Sequence, residues 1–378
     1  MKPVVWLAAG ALDYPEGGGH LWVYLNWALG LQGLGCKVIW MEGVNPNRPG
    51  PDPLSLLQVL RRHLEPYGLV GSVVLYPETD EPLPGCLAEW SQGLAEAGEA
   101  DLLLNLSYNT CARVVRRFRR TALLDIDPGL LQVWLSEGCF RLERHDVYFS
   151  IGETVGQPGA LFPSCGIDWH YTPPCVALEW WPVCQSPTGA AFTTMSHWAT
   201  FREWVCFGGE SYHNDKRTGF LPFLDLPRQT SQPLELALCL ADDGGEERRS
   251  LEEKGWIVRH AYEVAPTPQA YQRYIQGSSG EFSCAKPSCV RLQNAWVSDR
   301  TLCYLASGKP AVVQHTGPSR FLPDAAGLFR FSDPTGAARC LERVAADYDR
   351  QCRLARALAE EHFDARKVVR RVLERALA

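Results

Sequence analysis

The stretch GEFSCAKPSCVRLQNAWVSDRTLCYLASGKPAVVQHTG, from Gly280 to Gly317, concentrates residues able to grip an anion. Ser298 suits the cap of a helix and Asp299 its first turn. Leu302, Leu305 and Ala306 supply an apolar face, Gly308 a stop, and Pro310 a block on continuation. The helix so defined is about two turns long. Its free N–H groups carry partial positive charge and suit a phosphate, and Arg300 adds a bidentate donor. After the next strand, Thr316, Gly317 and Ser319 form a second loop whose backbone can approach an anion. Asp299 can also accept hydrogen bonds from a ribose diol. Together these groups fit a nucleoside diphosphate; the plainer alternative is a surface pair between Asp299 and Arg300. Lys286 is a further basic candidate in the same stretch.

A second set of residues lies early in the chain. Gly17, Gly18 and Gly19 follow the first apolar run and let backbone approach a ligand closely. They are consecutive, so they do not make a dinucleotide fingerprint. His20 opens the helix that follows, where imidazolium is disfavoured and a neutral base is left; capping or packing is its other reading. Asp127, in DIDP, ends a strand and is a rival base. Asp125 faces the other side of that strand or marks its exit. Adjacent His145 and Asp146 also point opposite ways, which gives them structural roles. Glu153 follows a strand end and is placed to line a cleft. Arg113, Arg116, Arg117, Arg119 and Arg120 read as one helix face, either solvated or docked on anionic lipid.

The elements that must position these groups alternate. PVVWLAAG, CKVIWMEG, SVVLYP, DLLLNLSY, TALLDIDP and HDVYFSIGE read as strands. GGGHLWVYLNWALGLQGLG, PLSLLQVLRRHLEPYG, GCLAEWSQGLAEAGEA and CARVVRRFRR read as helices between them. Such alternation predicts a mostly parallel sheet covered on both faces. A stiff segment with Trp180, Trp181 and prolines follows, and a second series begins at AAFTTMSHW. The expected organisation is α/β: two Rossmann-like domains, 1–172 and 173–355, with a helical end at 356–378.

Composition bounds the function. The chain has 378 residues, 46% of them hydrophobic and 21% charged, and a formal charge of -6. That is a globular composition in which attraction of the whole molecule to nucleic acid is not expected. The 14 cysteines are scattered and form no CxxC pair, so buried thiols rather than a metal centre are expected. The N-terminal apolar run is short for a signal peptide, and a cytoplasmic protein is expected.

LASGKPAVVQHTG resembles the donor domain of GT-B-fold glycosyltransferases. The preceding SDR resembles the Ser-x-Arg of spore-maturation-type members, and GEFS, DIDPG, FTTM and DLP resemble actinobacterial ones. The resemblance implies a glycosyltransferase that moves a sugar from a nucleotide-diphosphate donor to a small-molecule, natural-product or lipid acceptor, with no metal or other cofactor. It implies that the two domains face a cleft (the GT-B arrangement), that the helical end at 356–378 crosses back to the first domain, that Lys216 meets the diphosphate and that His20 takes the acceptor proton. The chain departs where many relatives carry an acid five positions before the glycine: Cys303 stands there, leaving Asp299 to hold the ribose. A non-catalytic two-domain binding protein and a GT-B nucleotide-sugar epimerase are the alternatives.

Overall fold

The computed structural model describes residues 2–45, 47–48, 50–79, 81–199, 203–240 and 245–378. Two parallel sheets dominate. The first contains β1 (Val4–Ala9), β2 (Lys37–Val44), β3 (Val73–Pro77), β4 (Leu102–Asn105), β5 (Thr121–Asp125), β6 (Val147–Ser150) and β7 (Trp169–Tyr171), in the order β3-β2-β1-β4-β5-β6-β7. The hairpin β9 (Trp204–Phe207) and β10 (Glu210–His213) stands apart. The second sheet runs β12-β11-β8-β13-β14-β15. Its strands are β8 (Phe192–His197), β11 (Leu234–Cys239), β12 (Ile257–His260), β13 (Gly280–Ser283), β14 (Ala311–Gln314) and β15 (Leu328–Phe331).

The strands are apolar runs because both sheet faces are covered. Leu7, Trp40, Leu104 and Leu124 are fully buried on one side of the first sheet, and Phe192, Leu236, Phe282 and Val312 anchor the second. The helix Gly18–Gly33 is buried almost all round. It lies against the terminal helix Ala365–Ala376, whose Val368, Val369 and Val372 face inward. Gly30 makes that contact possible, since a Cβ there would meet Val369 Cγ2 at 2.8 Å. The terminal helix is also tied to the chain joining the sheets, through Val176 N–H to Phe363 O at 2.8 Å and Ala365 N–H to Val176 O at 3.0 Å.

Three local expectations change. CARVVRRFRR forms one short helix, Ala112–Val115, because Phe118 is held edge-on against Trp6 and the chain then turns into β5. GCLAEWSQGLAEAGEA forms 3-10 turns over Gly85–Glu99; Gly93 lies so close to β3 that a Cβ would sit 2.8 Å from Val74 Cγ2. The first sheet does not close at β6 but adds β7. The helix expected after Ser298 is present as Asp299–Ala306, with Gly308 at φ +70° ending it.

Candidate active site

Strand order reverses in both sheets at the first strand of the lobe: β1 lies between β2 and β4, and β8 between β11 and β13. At such a point the flanking connections leave toward opposite faces and open a crevice at the carboxyl ends. Here the two crevices face one another. Between them lies a cavity of about 210 Å³, bounded by the Gly17–His20 turn on one side and by Met195–His197 and Ser298–Arg300 on the other.

Gly18 and Gly19 explain how close the lobes come. A Cβ on Gly18 would fall 2.3 Å from Thr267 O, and one on Gly19 would fall 2.6 Å from the Tyr271 ring. The glycines expected to admit a ligand therefore admit the second lobe. Trp22 reinforces the contact by donating from Nε1 to Pro268 O at 3.0 Å. The loop ahead of them is held by Glu42, whose buried carboxylate accepts from Ala11 N–H, Leu12 N–H and Trp40 Nε1–H.

His20 Nε2 lies 2.9 Å from Gly10 O. A carbonyl can only accept, so Nε2 carries the proton and Nδ1 of the neutral ring is a free base. Burial lowers the pKa of His20, against the pull of Gly10 O and of Asp127. Asp127 belongs to the same cleft. The surrounding walls raise its pKa, opposed by Lys286; the residue is exposed, so water moderates the effect. Asp125 instead is fully buried and accepts from Tyr108, Gln132 and Ser150. His145 is likewise internal, donating from Nδ1 to Glu143 O and accepting from Asn105 at Nε2.

On the second lobe, Ser298 caps its helix by accepting from Arg300 N–H at 3.3 Å. Burial pushes the pKa of Asp299 up to about 7, with Asp127 adding like-charge repulsion and Arg300 opposing it. Arg300 differs from the open phosphate fork expected. Nε donates to Glu281 at 2.9 Å, Nη1 to Met195 O at 2.8 Å and Nη2 to Ser283 Oγ at 2.7 Å. It therefore fastens the start of its helix to the ends of β8 and β13.

Lys216 is buried and donates from Nζ to Cys284 O at 2.6 Å. Burial, then repulsion from Arg300, brings its pKa down to about 7. Lys286 pairs with Glu203 and pulls on Asp127 across the cleft.

The second loop is committed elsewhere. Thr316 Oγ1 donates to Trp296 O at 2.7 Å. Gly317 presses on the preceding turn, where a Cβ would come within 2.5 Å of Gln293 O. Ser319 and Glu153 meet each other at 2.7 Å, and Glu153 also takes Arg320 N–H and Nε–H. This joins the lobes beside the cleft, so Glu153 and Ser319 act as a latch rather than as cavity walls. Thr154 Oγ1 donating to Gln293 O, and Asn294 Nδ2 donating to Pro128 O, extend it. Gln293 and Ala295 hold positive φ of 50° and 56° around that buried asparagine, a conformation that L residues adopt at a cost.

Sequence reasoning missed Glu281, Glu203, Glu42 and Asn294. Only pairing across strands and lobes reveals them, apart from GEFS, where an acid inside an apolar strand signals a buried partner. Among the described residues, no three His, Cys, Asp or Glu side chains are grouped to hold a metal ion.

No protein-family model and no curated protein matches the sequence. Solved structures match over the whole chain. An alpha-glucosyltransferase in complex with UDP and a 13-mer DNA is 12% identical, with TM-score 0.63 and 100% of each chain covered. Sucrose-phosphate synthase from Thermosynechococcus elongatus is 13% identical, with TM-score 0.56, covering 100% of this chain and 99% of its own. Anabaena HepE in complex with UDP-glucose is 12% identical, with TM-score 0.57 and 98% of each chain covered. The likeness establishes the fold: two Rossmann-like lobes in the GT-B arrangement of glycosyltransferases.

Proposed function

We propose that this chain transfers a glycosyl group from a nucleoside-diphosphate sugar to a hydroxyl-bearing acceptor. The observation that carries the proposal is the cavity where both switch points meet, with a free imidazole nitrogen on one lobe and a capped helix start on the other. Uridine is the first base to test, because the structural neighbours hold UDP.

In this reading the donor's diphosphate lies at the N–H groups that open the Asp299–Ala306 helix. Lys286 and Lys216 supply positive charge, and Asp299 accepts from the ribose. The acceptor enters from the first lobe, among small-molecule, natural-product or lipid alcohols. His20 Nδ1 takes the hydroxyl proton, with Asp127 as the neighbouring charge that steadies the imidazolium. The acceptor oxygen bonds to the anomeric carbon, the bond from that carbon to phosphate oxygen breaks, and the electron pair leaves on the diphosphate. Stabilising that charge is the largest contribution expected of such a site. The reading assigns it to protein cations, and a chelator is expected to leave the rate unchanged.

The test is turnover with UDP-sugars and an acceptor panel, followed as UDP release and as glycosylated product. Product formation by the wild type and its loss in His20→Ala, with UDP binding retained, are expected. UDP-sugar left intact with every acceptor, or isomerised without one, overturns the proposal.

A further inference from the structure

Away from the cleft, a groove of about 1140 Å³ runs between β7 and the terminal helix. Arg120, Arg320, Arg371, Arg375, His170 and His362 line it, and Glu374 is its one acidic wall residue. Arg120 Nε donates to Ala376 O at 2.6 Å. That bond joins the Arg113–Arg120 segment to the end of the terminal helix, so two basic stretches far apart in sequence become one surface. Arg116, Arg117, Arg119, Arg370, Arg371 and Arg375 are all exposed.

The acids nearby neutralise little of this surface. Arg119 meets Glu99 only at 3.4 Å, with both side chains largely in solvent, a pairing worth little. Arg320 is bound to Glu153, and Asp168 stands 3.7 Å from His170. Among the described residues, Arg116, Arg117, Arg370, Arg371 and Arg375 have no ion pair. A chain with a formal charge of -6 thus presents one strongly basic face.

We propose that this face docks the protein on an anionic lipid bilayer. The arginines are spread along the segment and the helix rather than gathered at one point, which matches an extended sheet of charge better than a single phosphate. The apolar side of the terminal helix is already buried against the first helix. Its arginine side, with Leu377 exposed at its tip, is what remains to meet a surface. The groove's aromatic rings pack against each other at tilted angles, Tyr171 with Phe321 and Phe321 with His362. No helix among the described residues is long and apolar enough to cross a membrane, so the contact is peripheral and electrostatic. Such attraction decays within a Debye length and weakens with salt.

The test is co-sedimentation of the full chain with vesicles of phosphatidylcholine alone and of phosphatidylcholine with phosphatidylglycerol. Binding to the anionic vesicles only, lost at high salt, is expected. Arg371→Glu with Arg375→Glu should weaken it at least about tenfold. Arg371→Lys with Arg375→Lys, and Arg249→Glu on the other lobe, should leave it intact. If the first variant does not fold, Arg116→Glu with Arg117→Glu reads the same surface. Failure of the wild type to bind anionic vesicles, equal binding by the charge-reversed variants, or binding to duplex DNA in place of vesicles overturns the proposal. None of these outcomes depends on glycosyl transfer.

Discussion

His20 carries the clearest chemical assignment, because one hydrogen bond fixes its tautomer. Nε2–H is engaged by Gly10 O, so only Nδ1 can accept a proton. Its pKa is lowered from 6.5 by burial, so the neutral base is present at pH 7 and is lost as pH falls through a value below 6.5. kcat/KM is expected to fall on the acid side as His20 is protonated and on the alkaline side through about 7 as Lys216 loses its charge, and His20→Ala to lose about 10²–10⁴-fold in turnover. An unchanged pH profile in His20→Ala would pass the role to Asp127. Lys216 gives a second prediction. With its pKa brought down to about 7, it is charged below that pH and neutral above it. UDP affinity should therefore fall as pH rises through about 7, with proton uptake on binding below saturation of that charge. Titration calorimetry in buffers of different ionisation heat checks this, and Lys216→Met should reduce the dependence to the part that comes from Asp299 ionising over the same range.

At the scale of elements, the site is built from short pieces whose legibility differed. The Asp299–Ala306 helix was readable because its cap, apolar face and stop are all local: Ser298, Leu302 and Leu305, then Gly308. Ser298→Ala should cost about 1 kcal/mol, seen as a lower denaturation midpoint. The partners of Arg300 were not readable, because Glu281 and Ser283 come from β13 and Met195 from β8, and only sheet register brings them to one guanidinium. The same holds for Gly18, whose reason lies at Thr267 in the other lobe. Gly18→Ala should destabilise by about 1–3 kcal/mol through overpacking, whereas Gly35→Ala, with open space around it but a φ of +84°, tests strain without crowding. The arginine-rich segment misled as a helix because its pattern was apolar enough, while the deciding contact, Phe118 on Trp6, is tertiary. The β9–β10 hairpin carried no signal beyond Gly208 and Gly209, both at positive φ.

For the whole molecule, the two lobes form a clamp that is shut. The cavity of about 210 Å³ is below the roughly 300–1,000 Å³ of typical ligand pockets, so a nucleotide sugar is expected to part the lobes as it binds. Glu153 holding Ser319 and Arg320 opposes that parting. Glu153→Ala should favour an open form, read as a larger radius of gyration by X-ray scattering and partial return to the wild-type value on adding UDP. The two-lobed architecture itself was legible from the alternation of strands and helices. The way the lobes press together was not, since it rests on contacts such as Trp22 with Pro268 that no local pattern announces. Everything functional depends on the donor's diphosphate lying where the two switch points meet. The most direct measurement is a crystal structure with UDP bound. The account predicts the diphosphate at the start of the Asp299–Ala306 helix, with Lys286 turned toward it. Density for UDP elsewhere, such as the groove beside β7, with the cavity between the lobes empty, would contradict it.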